Sequence, residues 1–197
     1  MDEQRMNRRD LLRAAGLASA GLAVAQGAPQ AAAKSVSGMP FDRKDTVRLG
    51  LIGVGERGNS HLDEFSAIPN VQVNALCDTV KEKVLKAQAK LEKSGKRPPA
   101  LYHGSDTAFE EMVKRDDLDV VLVATPWVWH TRMAVAGMKH GKHVGVEVPA
   151  ARTIEECWEL VNTSESTRRH CILLENCCYD YNEMLVLNMV RAGCSAT

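Results

Sequence analysis

Gly53-Val54-Gly55-Glu56-Arg57-Gly58 is a stretch whose residue types and spacing carry a definite chemistry. In a G-x-G-x-x-G turn each glycine meets a separate steric demand: Gly53 lets the chain reverse tightly, Gly55 lets a ligand approach the backbone, and Gly58 lets the next helix sit close to a sheet. Such a turn suits a diphosphate, because the helix behind it aims unpaired N–H groups and roughly half a positive charge at the ligand. Asp78 stands twenty residues past Gly58, the spacing at which a carboxylate takes the hydroxyls of an adenosine ribose. Its charge would repel a 2′-phosphate, so the pattern favours NAD over NADP. A glycine turn alone also serves as a plain chain reversal, and the elements around it separate the two readings.

Those elements are in register. Val47–Ile52 is an apolar run of strand length, residues 59–67 carry Leu62 and Phe65 at helical spacing with Ile68 to follow, and residues 71–77 form a second strand closed by Asp78. Residues 79–94 form an amphipathic helix with Val80, Val84, Ala87 and Leu91 on one face. A short strand is predicted at 100–103, then a helix at 107–114 with Asp106 as its N-cap and Phe109, Met112 and Val113 facing inward. The almost continuous apolar run 119–124 suits a strand buried on both faces. A helix at 131–140 stopped by Gly141, a strand at 143–146, a helix at 154–166 capped by Thr153, a strand at 171–174 and a last helix at about 182–192 complete the chain. This alternation predicts an α/β fold, a doubly wound parallel sheet of Rossmann type.

Ligands of such sheets collect at the carboxyl ends of the strands. The fourth strand exits into Thr125-Pro126-Trp127-Val128-Trp129-His130, whose tryptophans and histidine could wall a nicotinamide ribose or pack locally. The fifth exits into Glu147-Val148-Pro149-Ala150-Ala151 and the sixth into Glu175-Asn176-Cys177-Cys178-Tyr179.

Twin arginines, Arg8 and Arg9, precede Leu11 and Leu12, and an Ala/Gly/Leu-rich run follows from Ala14 to Ala25. That run suits a signal-peptide core better than a bilayer span, and it lacks the polar face of an amphipathic helix. Ala31-Ala32-Ala33 offers a cleavage site. Residues 1–33 resemble a twin-arginine (Tat) export signal, with 34–46 as a linker, so the expectation is export to the periplasm or the exterior of a bacterium. Lys+Arg and Asp+Glu both number 25, which gives no reason to expect nucleic acid as a partner. No later stretch approaches membrane-spanning length. The six cysteines show no C-x-x-C spacing; buried thiols are the expectation and no metal site is predicted.

The strand-exit motifs, in this order, resemble the N-terminal domain of the Gfo/Idh/MocA oxidoreductase superfamily, whose fifth-strand exit usually carries Glu-Lys-Pro. The triplet here is Glu147-Val148-Pro149. With the fourth- and sixth-strand exits it resembles glycoside hydrolase family 109, a family that contains NAD-dependent α-N-acetylgalactosaminidases, over roughly residues 47–193. The resemblance implies NAD as cofactor and a glycoside with terminal α-N-acetylgalactosamine or a related sugar as substrate. It implies transient oxidation at C3, elimination across C1 and C2, addition of water and re-reduction, a route without the paired carboxylates of ordinary glycosidases. By the same resemblance Glu56 and Arg57 contact the diphosphate, Asp78 the ribose, and Trp127, Val128, Trp129, His130, Glu147, Val148 and Asn176 the rest of the dinucleotide. Tyr179 stands where a phenol could move a proton or bind the sugar, with a packing role as the alternative.

The family lysine replaced by Val148 assists proton transfer in ordinary sugar dehydrogenases. Members of the superfamily also carry a second α/β domain that supplies much of the sugar pocket, and this chain stops where it should begin, with residues 194–197 matching nothing in the pattern. The resulting expectation is a cofactor-binding half that holds NAD weakly and does not hydrolyse glycosides alone. A sugar dehydrogenase of the same superfamily and a non-catalytic nucleotide-binding fragment are the other readings. A homo-oligomeric full-length protein is compatible with all three.

Overall fold

The computed structural model describes residues 35–194. The expected leader at 1–33 and all but Cys194 of the expected tail lie outside them. Six strands alternate with six helices: β1 Val47–Ile52, α1 Glu56–Ser66, β2 Val71–Asp78, α2 Lys81–Lys93, β3 Ala100–His103, α3 Ala108–Val113, β4 Val120–Val123, α4 His130–Lys139, β5 His143–Val146, α5 Ile154–Thr167, β6 Cys171–Leu173 and α6 Tyr181–Arg191. Short 3-10 turns at Trp127–Trp129 and Cys177–Tyr179 follow the exits of β4 and β6. The sheet is parallel throughout in the order β3-β2-β1-β4-β5-β6, which is the doubly wound arrangement.

Each face of the sheet buries its own apolar layer. Leu62 of α1 and Val84, Ala87 and Leu91 of α2 cover Leu49, Leu51, Val73, Leu76 and Leu122. On the other face, Phe109, Met112 and Val113 of α3, Met133, Ala134 and Met138 of α4 and Leu160 of α5 cover Ile52, Ala75, Cys77, Val121, Val123, Val144 and Val146. Central strands covered on both sides must be apolar along their whole length, which is why they stand out as uninterrupted runs.

β2 contains one extra residue. Leu49 pairs with Val73, but Gly50 pairs with Ala75, so Asn74 bulges out of the ladder. Its buried amide is satisfied by the carbonyl of Asp117, 2.8 Å away.

Helix boundaries differ from expectation in instructive places. α1 begins at Glu56, inside the glycine motif, with Gly55 as N-cap, so Ile68 falls beyond its end and stays exposed. Asp106 is not the N-cap of α3: Thr107 holds that position, and the Ser105 hydroxyl accepts the Thr107 N–H at 3.1 Å. Thr153 does cap α5, accepting the Glu156 N–H at 3.2 Å. α6 buries none of its residues, and Ile172 and Leu173 of the edge strand β6 are exposed. All six cysteines carry free thiols: Cys77 is buried, Cys171 half-buried, and Cys157, Cys177, Cys178 and Cys194 exposed.

At the amino edge of the sheet Asp119 locks β1 to the start of β4. Its carboxylate accepts the Arg48 main-chain N–H and Nε, both at 2.9 Å, and Nη2 at 2.7 Å.

Candidate functional site: a dinucleotide cradle on the carboxyl rim

The register sets the site. Ile52 pairs with both Cys77 and Val123, Val123 pairs with Val146, and Val146 with Leu173. Gly53, Asp78, Ala124 and Glu147, each the next residue or the last of its strand, therefore lie along one rim.

Gly53 sits at φ +87°, and a Cβ there would press on the carbonyl oxygen of Ala124 at 2.5 Å. A Cβ on Gly58 would collide with the carbonyl oxygen of Gly53, so α1 can start this close only with glycine in place. At Gly55 a Cβ would meet nothing within 4 Å; the backbone there borders open space, as a surface for an approaching diphosphate must. Asn59 holds the turn in shape, its amide donating to the carbonyls of Val54 at 2.7 Å and Gly55 at 3.0 Å.

Asp78 faces the same turn. Its Oδ2 accepts the Val54 N–H and its Oδ1 the Val80 N–H, each at 3.0 Å. Each oxygen keeps a lone pair for a further donor, such as a ribose hydroxyl. A cavity of about 370 Å³ opens between them, lined among others by Gly53, Gly55, Asp78, Phe109, Thr125 and Trp129, within the size range of small-molecule sites. One carboxylate, main-chain amides and apolar walls can grip a nucleoside and seat its flat base. The neighbouring Cys77 thiol is pushed up to about 12 by burial and by the Asp78 charge, so it is no nucleophile at neutral pH.

Trp129 packs edge-on against Phe109, ring centres 6.4 Å apart, with the Arg132 guanidinium 5.1 Å from its ring. Trp127 and Val128, on the same 3-10 turn, are 64% and 55% exposed. His130 is turned inward. It is 1% exposed, with Nδ1 2.8 Å from the Pro149 carbonyl and Nε2 2.7 Å from that of Thr125. Its ring clamps the β4 exit to the β5 exit, so what it offers a ligand is the placement of the tryptophan turn.

A second group gathers at the β5 and β6 exits. The buried Glu147 carboxylate accepts from Arg57 and from His61, and the Arg57 Nη2 reaches Asn176 Oδ1 at 3.4 Å. Burial alone would raise the Glu147 carboxyl, but the hydrogen bonds from Arg57 and His61 outweigh it and hold the group below the usual carboxylate range. Glu56 is exposed in the first turn of α1, Val148 is exposed beyond β5, and Tyr179 is exposed on the second 3-10 turn.

The rim thus brings Gly53, Gly55, Asp78 and Trp129 around one cavity and Arg57, Glu147 and Asn176 into one polar cluster, while Trp127, Val128 and Tyr179 present open side chains. Sequence reasoning missed Asn59 and His61. Their signals were a side-chain amide in the first turn of α1 and a histidine one helical turn past Arg57. Among the described residues no group of three or more His, Cys, Asp or Glu side chains is placed to hold a metal ion.

The model of the oxidoreductase family with an NAD-binding Rossmann fold, Gfo/Idh/MocA, matches residues 47–174. A glycosyl hydrolase family 109 protein from Solibacter usitatus is 65% identical over 189 residues, covering 95% of this chain and 43% of the relative. One from Saccharopolyspora erythraea is 50% identical over 204 residues, covering 98% of this chain and 44% of the relative. The chain therefore spans less than half the length of these relatives. Among solved structures, scyllo-inositol dehydrogenase from Lactobacillus casei with bound NAD(H) and scyllo-inositol superposes with a TM-score of 0.65 at 21% identity, over 75% of this chain and 42% of that one. The WlbA dehydrogenase of Chromobacterium violaceum with NADH and UDP-GlcNAcA gives 0.66 at 21% identity, over 78% of this chain and 42% of that one. At these identities the likeness is one of fold.

Proposed function

Because the chain belongs to the Gfo/Idh/MocA oxidoreductase family, with its NAD-binding Rossmann domain at residues 47–174, we propose that it is the cofactor-binding part of an NAD-dependent glycoside hydrolase acting on terminal α-N-acetylgalactosamine or a related sugar. When bound, NAD would supply reversible hydride chemistry at C3 of the sugar with no net redox change, and hydrolysis would come from loss of the aglycone across C1 and C2 and addition of water in its place. The residues of this chain do the holding. The open backbone at Gly55 and the Arg57 guanidinium face the diphosphate, Asp78 takes the adenosine ribose, and Trp129 with Phe109 walls the cavity. Tyr179, with its phenol open to solvent, is the group for moving a proton at the sugar.

The observation that carries the hydrolase reading is Val148. It places an alkyl side chain at the β5 exit, where a dehydrogenase of this family carries a lysine. Identity of 65% to a glycosyl hydrolase family 109 protein supports the same reading. The sugar dehydrogenase stands second, supported by the two dehydrogenases of like fold. Titration of the purified chain with NAD tests the cofactor-binding part, and the chain joined to the remainder of the Solibacter usitatus relative, of which it covers 43%, supplied with NAD and a chromogenic α-N-acetylgalactosaminide, tests the choice. Release of the chromophore without accumulation of NADH is expected; NADH formed in step with sugar consumed would establish the dehydrogenase instead.

A further inference from the structure

Arg57 and His61 lie four residues apart on α1, one above the other on the face turned toward the β5 exit. Both donate to the same oxygen of Glu147: Arg57 Nε lies 2.5 Å and His61 Nε2 2.7 Å from Oε1, while Oε2 accepts the Val148 N–H at 3.2 Å. The two partners differ in exposure. The Arg57 side chain is 44% exposed, whereas His61 is 4% exposed and Glu147 7%. The other ring nitrogen of His61, Nδ1, has no hydrogen-bond partner, and Glu64 Oε2 is 3.6 Å from it. A carboxylate only accepts, so His61 Nε2 carries the proton in this contact.

We propose that His61 and Glu147 are positioning residues for NAD that act through Arg57. The inference rests on the NAD-binding reading. It assigns the Glu147 side chain to the guanidinium rather than to the dinucleotide, and it gives His61, which the resemblance leaves without a role, a part in cofactor affinity. A long, exposed arginine side chain loses considerable rotamer freedom when it closes on a ligand. With Nε fixed on a buried carboxylate, much of that ordering is done before NAD arrives, and the planar fork leaves its outer N–H groups aimed along the rim. His61 fixes the carboxylate in turn. Without the imidazole, Glu147 keeps only its partly exposed partner and a weak contact to its own neighbour, and the fork loses its fixed direction.

The experiment measures NAD affinity of the full chain by calorimetry, with the melting temperature recorded for each variant. His61→Leu should weaken NAD binding about tenfold, the scale of one charge-assisted hydrogen bond. His61→Gln, whose amide N–H can still reach Oε1, should stay within about twofold. In an Arg57→Ala background His61→Leu should cost nothing further, since the group it directs is gone. His61→Asn, polar but too short to reach Oε1, gives the same readout if the leucine variant does not fold. Equal losses from His61→Leu with and without Arg57 would overturn the positioning role, as would a lower melting temperature with unchanged affinity. If the unsubstituted chain takes up no NAD, the parent reading falls and this one with it. If NAD binds and the effects are additive, only the positioning role falls.

Discussion

The Val54 main-chain N–H donates to Asp78 Oδ2 across 3.0 Å, joining the glycine turn after β1 to the last residue of β2. One carboxylate therefore holds the turn in place and presents its remaining lone pairs to the cavity. Asp78→Ala removes both roles and should weaken NAD binding by about ten- to a hundredfold, the worth of one to two hydrogen bonds to a charged group. Asp78→Asn keeps an acceptor but loses the charge that repels a 2′-phosphate, so the preference for NAD over NADP should narrow. Titration of both variants with both dinucleotides checks this.

Gly55 and Gly58 separate binding from folding. A methyl group on Gly55 meets open space and one on Gly58 meets the Gly53 carbonyl. Gly55→Ala should melt within a degree or two of the parent while losing most of its NAD affinity, because the methyl occupies the cradle. Gly58→Ala should lower the melting temperature by roughly 5 °C or more, since α1 must move away from the turn. Calorimetric melts with and without NAD distinguish the two.

Trp129 lines the cavity, whereas Trp158 lies exposed on α5. NAD should therefore quench tryptophan fluorescence through the 3-10 turn that carries Trp127 and Trp129, and not through Trp158. Replacing Trp129 and Trp127 together by Phe should remove most of the NAD-dependent quench, with Trp129→Phe the larger single loss, and Trp158→Phe should leave it nearly intact. A quench that survives when Trp127 and Trp129 are both replaced by Phe would place the ligand elsewhere.

The Asp119–Arg48 lock predicts an acid-sensitive share of stability. The hydrogen bond from Arg48 holds the Asp119 carboxyl well below the usual carboxylate range. A folded-state pKa lower than the unfolded one contributes stability that is present above about pH 4 and fades as pH falls through the folded value. Asp119→Asn should cost about 1–2 kcal/mol at neutral pH, and the gap between parent and variant should close below about pH 4. Urea melts across that range measure it, and NAD affinity at neutral pH should not change, because the lock sits on the edge of the sheet opposite the rim.

The strands and their order of appearance were legible because burial on both faces leaves continuous apolar runs, and the glycine turn was legible because its spacing answers steric demands that no other residue meets. Local polar chemistry was harder to read. Asp106 resembles a cap, yet the hydroxyl of Ser105 does the work beside Thr107. His130 stands at a strand exit, yet both ring nitrogens serve carbonyls inside. The pairing of His61 with Glu147 joins residues 86 apart in the chain, and only the finished sheet brings them together. Asn74 carried no signal of its own, since an amide in a strand looks the same whether it bulges or pairs.

Val71 and Val73 lean toward one layer of helices, and a strict every-other-residue count would send Ala75 and Cys77 the same way. Asn74 resets that parity, so Ala75 and Cys77 turn to the opposite layer and the strand reaches its end in phase with β1. Descendants of this chain can consequently lengthen or trim β2 by even steps and keep Asp78 on the same side, whereas a single-residue insertion or deletion between Asn74 and Asp78 turns that carboxylate away from the ligand altogether.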